Sequence, residues 1–174
     1  AVLMRIREFG RVDSIIHLAG VLGTASTLSH EEKAVEGNVL TAITMGKVAA
    51  NLGVKLVTPM VANRWLNPYS ITKNAAADLL RMYERERRLQ LTLVKEAHVY
   101  GPRQNANETQ KLIPTFITRA FRGEPLPLYE GGEQLVCMTY VTDVAEGLVR
   151  LALDRESLRL GVVRLRTPEQ RLAW

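Results

Sequence analysis

Short apolar runs alternate with longer segments of helical periodicity along this chain, and that alternation fits a parallel α/β sheet better than any other layer architecture. Asp13 to Ala19 (DSIIHLA), Val54 to Thr58 (VKLVT) and Leu91 to Ala97 (LTLVKEA) each place apolar residues side by side, as strands buried on both faces require. Between the first two, His30 to Leu52 reads as a helix stopped by Gly53, after a loop over Gly20 to Ser29. Pro59 ends the second strand. Asn67 then offers a side-chain cap and Pro68 needs no amide hydrogen at the first helical position, so a helix is expected from Pro68 to about Arg88.

The later part is more mixed. A helix is expected over roughly Gln110 to Arg122, and Leu126 to Tyr129 and Val136 to Tyr140 read as strands flanking the Gly131-Gly132 turn, outside the main sheet. Thr142 can cap a helix through Leu153, and Gly161 to Leu165 reads as one more strand. The opening AVLMRIREFG looks like the last turns of an amphipathic helix, and RTPEQRLAW like the start of a further element. Both ends therefore read as cut.

Composition narrows the function classes. A chain of 174 residues, 47% hydrophobic and 24% charged, suits one soluble globular domain. With Cys137 as the single cysteine, no disulfide framework forms within the chain, and a cysteine-rich metal site is not expected. No apolar run has the length of a membrane span and no signal-peptide pattern opens the chain, so the expected location is cytoplasmic. The net charge of +5 is modest, and Arg85, Arg87 and Arg88 alternate with Glu84 and Glu86 as on a solvated helix face. Aromatic residues do not interleave with these charges, which argues against nucleic-acid binding and leaves an anionic small ligand open.

The stretch NPYSITKNAA puts Tyr69 and Lys73 one helical turn apart, on one face. A free phenol, with a pKa of about 10, is a poor base at neutral pH. A fixed ammonium nearby, together with the positive ring of an oxidised nicotinamide, would make the phenolate accessible. Alone, the spacing is a weak signal, because a Tyr and a Lys share a helix face by accident often enough.

The surrounding landmarks strengthen it. HLAG (His17 to Gly20) follows a strand, and Asn38-Val39 lies in the next helix. PYSITK (Pro68 to Lys73), VYGPRQ (Val99 to Gln104), IPTFI (Ile113 to Ile117), GEPLPLY (Gly123 to Tyr129) and YVTDVAEGLV (Tyr140 to Val149) then follow in order. In this ordered set, from about Val12 to Leu153, the chain resembles the extended short-chain dehydrogenase/reductase family. The likeness is to its NAD-dependent nucleotide-sugar epimerases and dehydratases, of the UDP-glucose 4-epimerase type.

That resemblance implies a partial Rossmann-like, doubly wound parallel sheet with helices on both faces, from strand 4 onward, and part of a small substrate lobe. Residues 1–97 would be the C-terminal half of the NAD-binding domain, and 98–174 a mixed region of substrate-lobe segments with a returning helix and strand. Tyr69 would be the acid/base and Lys73 its partner, also holding the nicotinamide ribose. Thr58 would hydrogen-bond the reacting sugar oxygen. His17, Leu18, Ala19, Gly20 and Asn38 would line the NAD cofactor, at the carboxyl ends of strands where ligands bind in open parallel sheets. Lys95, His98, Phe116, Leu128, Tyr129 and Gln134 would meet a nucleotide-diphosphate sugar.

Two departures shape the expected chemistry. Thr58 is followed by Pro59-Met60-Val61-Ala62, without the acidic pair that the family's dehydratases use to eliminate water. A 4-epimerase-like oxidation and return of hydride needs no such pair. The Gly-x-x-Gly-x-x-Gly turn that holds a dinucleotide pyrophosphate is not in this sequence, and Gly20 and Gly23 do not form it. A non-catalytic module, associating with itself through an exposed first strand, is therefore the alternative expectation.

Overall fold

The computed structural model describes residues 2–8, 10–96, 98–104, 111–128, 130–133, 136–154, 162–165 and 171–172. The chain forms two compact units, the first from residues 1–95 and 146–164, the second from 96–145 and 165–174.

In the first unit, helix α1 (Val2–Glu8) precedes strand β1 (Ser14–Ile16). A single turn, α2 (Thr24–Thr27), interrupts the expected loop. The expected long helix then forms as three joined parts: α3 (Glu31–Ala34), a π-helical turn (Val35–Leu40) and α4 (Thr41–Leu52). Gly53, left-handed at φ 66°, ends α4 and turns the chain into β2 (Lys55–Met60). Helix α5 (Pro68–Arg87) leads to β3 (Gln90–Glu96). Strand β6 (Val162–Leu165) completes a four-stranded sheet in the order β1-β2-β3-β6, with β1 at an edge as expected and parallel to β2, which is parallel to β3.

Strand β2 runs two residues past the predicted stop at Thr58. The amide of His17 donates to Val57 O over 2.9 Å, so Val57 presents its backbone polar groups to the β1 side. Pro59, two residues on, presents its missing N–H to the same side. There the β1 pairing has already ended at Ile16↔Val57, while β3 stays paired through Met60↔Lys95. Proline costs no ladder bond in that position.

The core lies between the sheet and the helices α4 and α5. Leu56, Leu91 and Leu93 from the strands pack with Ala42, Ala49, Ala76, Ala77, Leu80 and Tyr83 from the helices. Small residues on both helices let them approach the sheet closely. The other face carries the end of α7 (Val141–Leu153), because buried Lys55 alternates with Leu56 along β2. The Lys55 ammonium donates to Leu151 O at 2.6 Å and Asp154 O at 2.8 Å, satisfying carbonyls that the helix end leaves unpaired.

In the second unit, β4 (His98–Tyr100) pairs in parallel with β5 (Val136–Tyr140), and β5 pairs antiparallel with β7 (Arg171–Leu172). Helix α6 (Leu112–Phe121) begins slightly later than expected. The strand predicted from Leu126 does not form: residues 125–128 are irregular, and a 3-10 turn follows at Glu130–Gly132. Pro125 and Pro127 cannot donate to a ladder, which removes alternate bonds from the segment. Among the described residues no helix is long and apolar enough to cross a membrane.

Candidate active site

Helix α5 starts at a built cap. Asn67 is extended at φ −142°, and its Oδ1 accepts from Ser70 N at 2.8 Å, with Pro68 at the first turn. The short connection after β2 is braced onto the same helix. Ser70 Oγ donates to Asn63 Oδ1 at 2.8 Å, and Asn74 Nδ2 donates to Asn63 O and Ser70 O, each at 2.8 Å. Tyr69 and Lys73 thus project from a stiff first stretch of helix, both half-buried.

Lys73 lines a small pocket with His17, Asn38, Thr58 and Pro59, at the carboxyl ends of β1 and β2. Four residues expected from the sequence, His17, Asn38, Thr58 and Lys73, therefore meet around one cavity. Tyr69 stands one turn before Lys73, outside that lining. Leu18, Ala19 and Gly20 form the exposed turn after β1.

Each polar group in the pocket has a defined assignment. Thr58 Oγ1 donates to His17 O at 3.0 Å and is 4% exposed, so its proton is committed to the backbone and it faces the pocket as an acceptor. His17 has its pKa lowered, first by burial and then by the charge of Lys73, and its imidazole is neutral at pH 7. Lys73 is consequently the cation of the pocket.

Asn38 is more constrained than a free ligand would be. Its Oδ1 accepts from Val21 N at 2.8 Å, and its Nδ2 donates to Val21 O at 3.2 Å and Thr72 Oγ1 at 3.0 Å. Both amide protons are used, so Asn38 holds the turn after β1 rather than donating to a ligand. The π turn carries Asn38 to this position, a common use of such bulges at functional sites. Gly37 beside it lets the helix touch that turn, since a Cβ there would lie 2.5 Å from Val21 Cγ2. Gly20 is equally tight: a Cβ would lie 2.7 Å from Asn38 Oδ1 and 3.9 Å from Lys73 Nζ. The glycine keeps open the approach to Lys73 that a ribose edge of NAD would use, and in this respect the residues present fit the nicotinamide end of the cofactor.

Lys95 is half-buried on the last turns of β3 in the first unit. In the second unit His98 is exposed at the start of β4, Phe116 is half-buried on α6, and Leu128 is 59% exposed beyond it. Tyr129 and Gln134 lie outside the described residues. The clamp residues Val21 and Thr72, and the braces Asn63 and Asn74, were not singled out from sequence. Thr72 and Asn74 carry one sequence signal, polar side chains at positions that the α5 pattern turns inward, whereas Val21 and Asn63 lie outside the helices and carry none.

Residues 59–162 match the model of the NAD dependent epimerase/dehydratase family. UDP-glucuronic acid decarboxylase 6 from Arabidopsis thaliana is 29% identical over 164 residues, covering 82% of this chain and 48% of that protein. Among solved structures, UDP-N-acetylglucosamine 4-epimerase from Methanobrevibacter ruminantium M1 superposes with a TM-score of 0.83 at 21% identity, over 95% of this chain and 58% of that one. UDP-glucuronic acid 4-epimerase from Bacillus cereus gives 0.83 at 18%, over 97% and 58%. At those identities the structural likeness speaks to the fold. The chain spans about half the length of the curated relatives it matches. With more than half its length matched, the Tyr69-Lys73 helix included, the chain belongs to the NAD dependent epimerase/dehydratase family.

Proposed function

We propose that this chain carries the proton-transfer half of an NAD-dependent nucleotide-sugar oxidoreductase of the UDP-sugar 4-epimerase type. The observation that carries the reading is the pocket at the strand ends, where Lys73 stands beside Thr58 and where Pro59 and Met60 follow without a carboxylate. Tyr69, as phenolate, takes the proton of a sugar hydroxyl and later returns it. The Lys73 ammonium one turn along stabilises that phenolate. Thr58, its own proton given to His17 O, orients the sugar by accepting from a neighbouring ring hydroxyl, since the single proton of the reacting hydroxyl goes to Tyr69. Bound NAD would supply the hydride acceptor and donor. The turn from His17 to Gly20, clamped by Asn38, and Lys73 would hold its nicotinamide ribose. A nucleotide-diphosphate sugar is the partner. Removal of water, which needs an acid and a base besides Tyr69, has no carboxylate on these strand ends to serve it.

Absorbance at 340 nm tests the reading. The protein with NAD and a UDP-hexose should form bound NADH, and Tyr69→Phe should abolish the signal; unchanged reduction in the variant would remove Tyr69 from the mechanism.

One observation favours a second reading, self-association as a binding module. Strand β1 is paired on one side only among the described residues, and Ile16 (36%) and Leu18 (61%) beside that edge are exposed. Sedimentation should then show a homo-oligomer that a charged Ile16→Lys substitution dissociates.

A further inference from the structure

We propose, resting on the reading above, that Thr72 is a positioning residue: its hydroxyl ties the reactive side of α5 to the turn after β1 and so sets where the Lys73 ammonium stands. At about 3.6 residues per turn, Tyr69 and Lys73 form one stripe of α5, with Thr72 on one flank and Ser70 and Asn74 on the other. All three flanking side chains are buried, while Ile71 on the far side is 53% exposed. Held on both flanks, the stripe keeps one orientation toward the pocket.

The two flanks are built differently. Ser70 and Asn74 both bond to Asn63, in the connection that precedes the helix. Thr72 reaches further. Its Oγ1 donates its one proton to Pro68 O at 2.7 Å, with Tyr69 O at 3.2 Å, and accepts from Asn38 Nδ2 at 3.0 Å. With that proton committed and 5% of the residue exposed, Thr72 has nothing to offer a ligand. Asn38 gives its other bonds to Val21, so one side chain links α5 through Thr72 to the turn after β1.

Lys73 stands against that same turn. A Cβ on Gly20 would lie 2.7 Å from Asn38 Oδ1 and 3.9 Å from Lys73 Nζ. His17, at the start of the turn, lines the pocket with Lys73 and feels its charge. The remaining lining from β2, β3, α4 and the π turn is uncharged. His17 therefore reports on how near the ammonium is. Without the Thr72 hydroxyl, α5 is held on one flank only, and it can pivot about the Asn63 brace and carry Lys73 away from the turn.

Titration of His17 in the protein without ligand, followed by NMR of its imidazole and assigned with His17→Gln, tests this. Native His17 should titrate below the ordinary imidazole range. Thr72→Val keeps the shape, removes the hydroxyl and should move that titration up toward the ordinary range. Thr72→Ala, a better helix former, should do the same, and Thr72→Ser should restore the native value. An unchanged titration in both hydroxyl-free variants, or a shift that serine does not reverse, overturns the proposal. So does a shift that persists in full in a Lys73→Gln background, which would mean that Thr72 governs the hydration of His17 and not the place of Lys73. With NAD and a UDP-hexose, Thr72→Val should also reduce NAD roughly tenfold or more slowly than the native protein and Thr72→Ser at near the native rate. A native rate in Thr72→Val overturns the proposal as well. Absence of NAD reduction in the native protein counts against the Tyr69 mechanism, and the His17 titration then decides on Thr72 by itself.

Discussion

The Asn38 side-chain amide donates to Thr72 Oγ1 over 3.0 Å, joining the π turn to the residue immediately before Lys73. The same side chain holds Val21 by both its N–H and its C=O. One buried amide thus fixes the turn after β1 against the helix that carries the reactive pair, which sets where a cofactor could lie relative to Tyr69.

Asn38→Leu keeps the volume and removes all three bonds. It leaves the Val21 backbone groups without their partner, and each such orphan costs about 1–3 kcal/mol. Urea unfolding should show a loss of at least about 2 kcal/mol. Full stability in the variant would mean that the clamp is dispensable.

The sheet and the reactive helix were legible in the sequence because their signals are local. Consecutive apolar residues mark β2 and β3, and Asn67-Pro68 marks the start of α5. The π turn was not legible: it is a change of hydrogen-bond register within a helix, and VEGNVL satisfies ordinary helical spacing as well. Thr58 was seen at its strand end, but the commitment of its proton to His17 O depends on β1, 41 residues away in sequence. Leu126 to Tyr129 misled because its apolar residues outweighed Pro127 within it and Pro125 just before it. In each case the missing information was which backbone groups had partners.

His17 gives the site a pH response with a definite sign. Its folded pKa lies below the ordinary imidazole value of about 6.5, through burial first and the Lys73 charge second. The unfolded chain therefore takes up the proton first as pH falls, and the stability contributed by neutral His17 is present above about 6.5 and declines below it. His17→Gln removes this titration. Thermal melts between pH 7.5 and 5.5 should show a shallower decline for the variant, and parallel declines would exclude His17 as the source.

Thr92 is fully buried on β3, and its hydroxyl has no partner among the described residues. Valine replaces that hydroxyl with a methyl group of like shape. Burying an unpaired hydroxyl costs about 1–3 kcal/mol in proteins, so Thr92→Val should raise stability by about 1 kcal/mol. A lower midpoint in urea would indicate that the hydroxyl is satisfied by an ordered water.

Gly37 offers a prediction that changes sign with its neighbour. It sits within the helical stretch Val35–Leu40, where alanine is intrinsically better than glycine by about 1 kcal/mol. A Cβ at this position, however, lies 2.5 Å from Val21 Cγ2 and 3.5 Å from Val21 N. The turn that Asn38 holds cannot retreat without breaking those bonds, and overpacking of this kind costs about 1–3 kcal/mol. Gly37→Ala in the native background should therefore destabilise. In a Val21→Ala background the methyl that causes the clash is gone, the backbone nitrogen remains at ordinary contact distance, and the helix preference is left to act. There Gly37→Ala should stabilise by up to about 1 kcal/mol. A double-mutant cycle measured by urea unfolding reads the difference as a coupling energy of about 1–3 kcal/mol. Additive effects of the two substitutions would show that the turn moves freely against the helix, and that the close approach at Gly37 does not position Asn38.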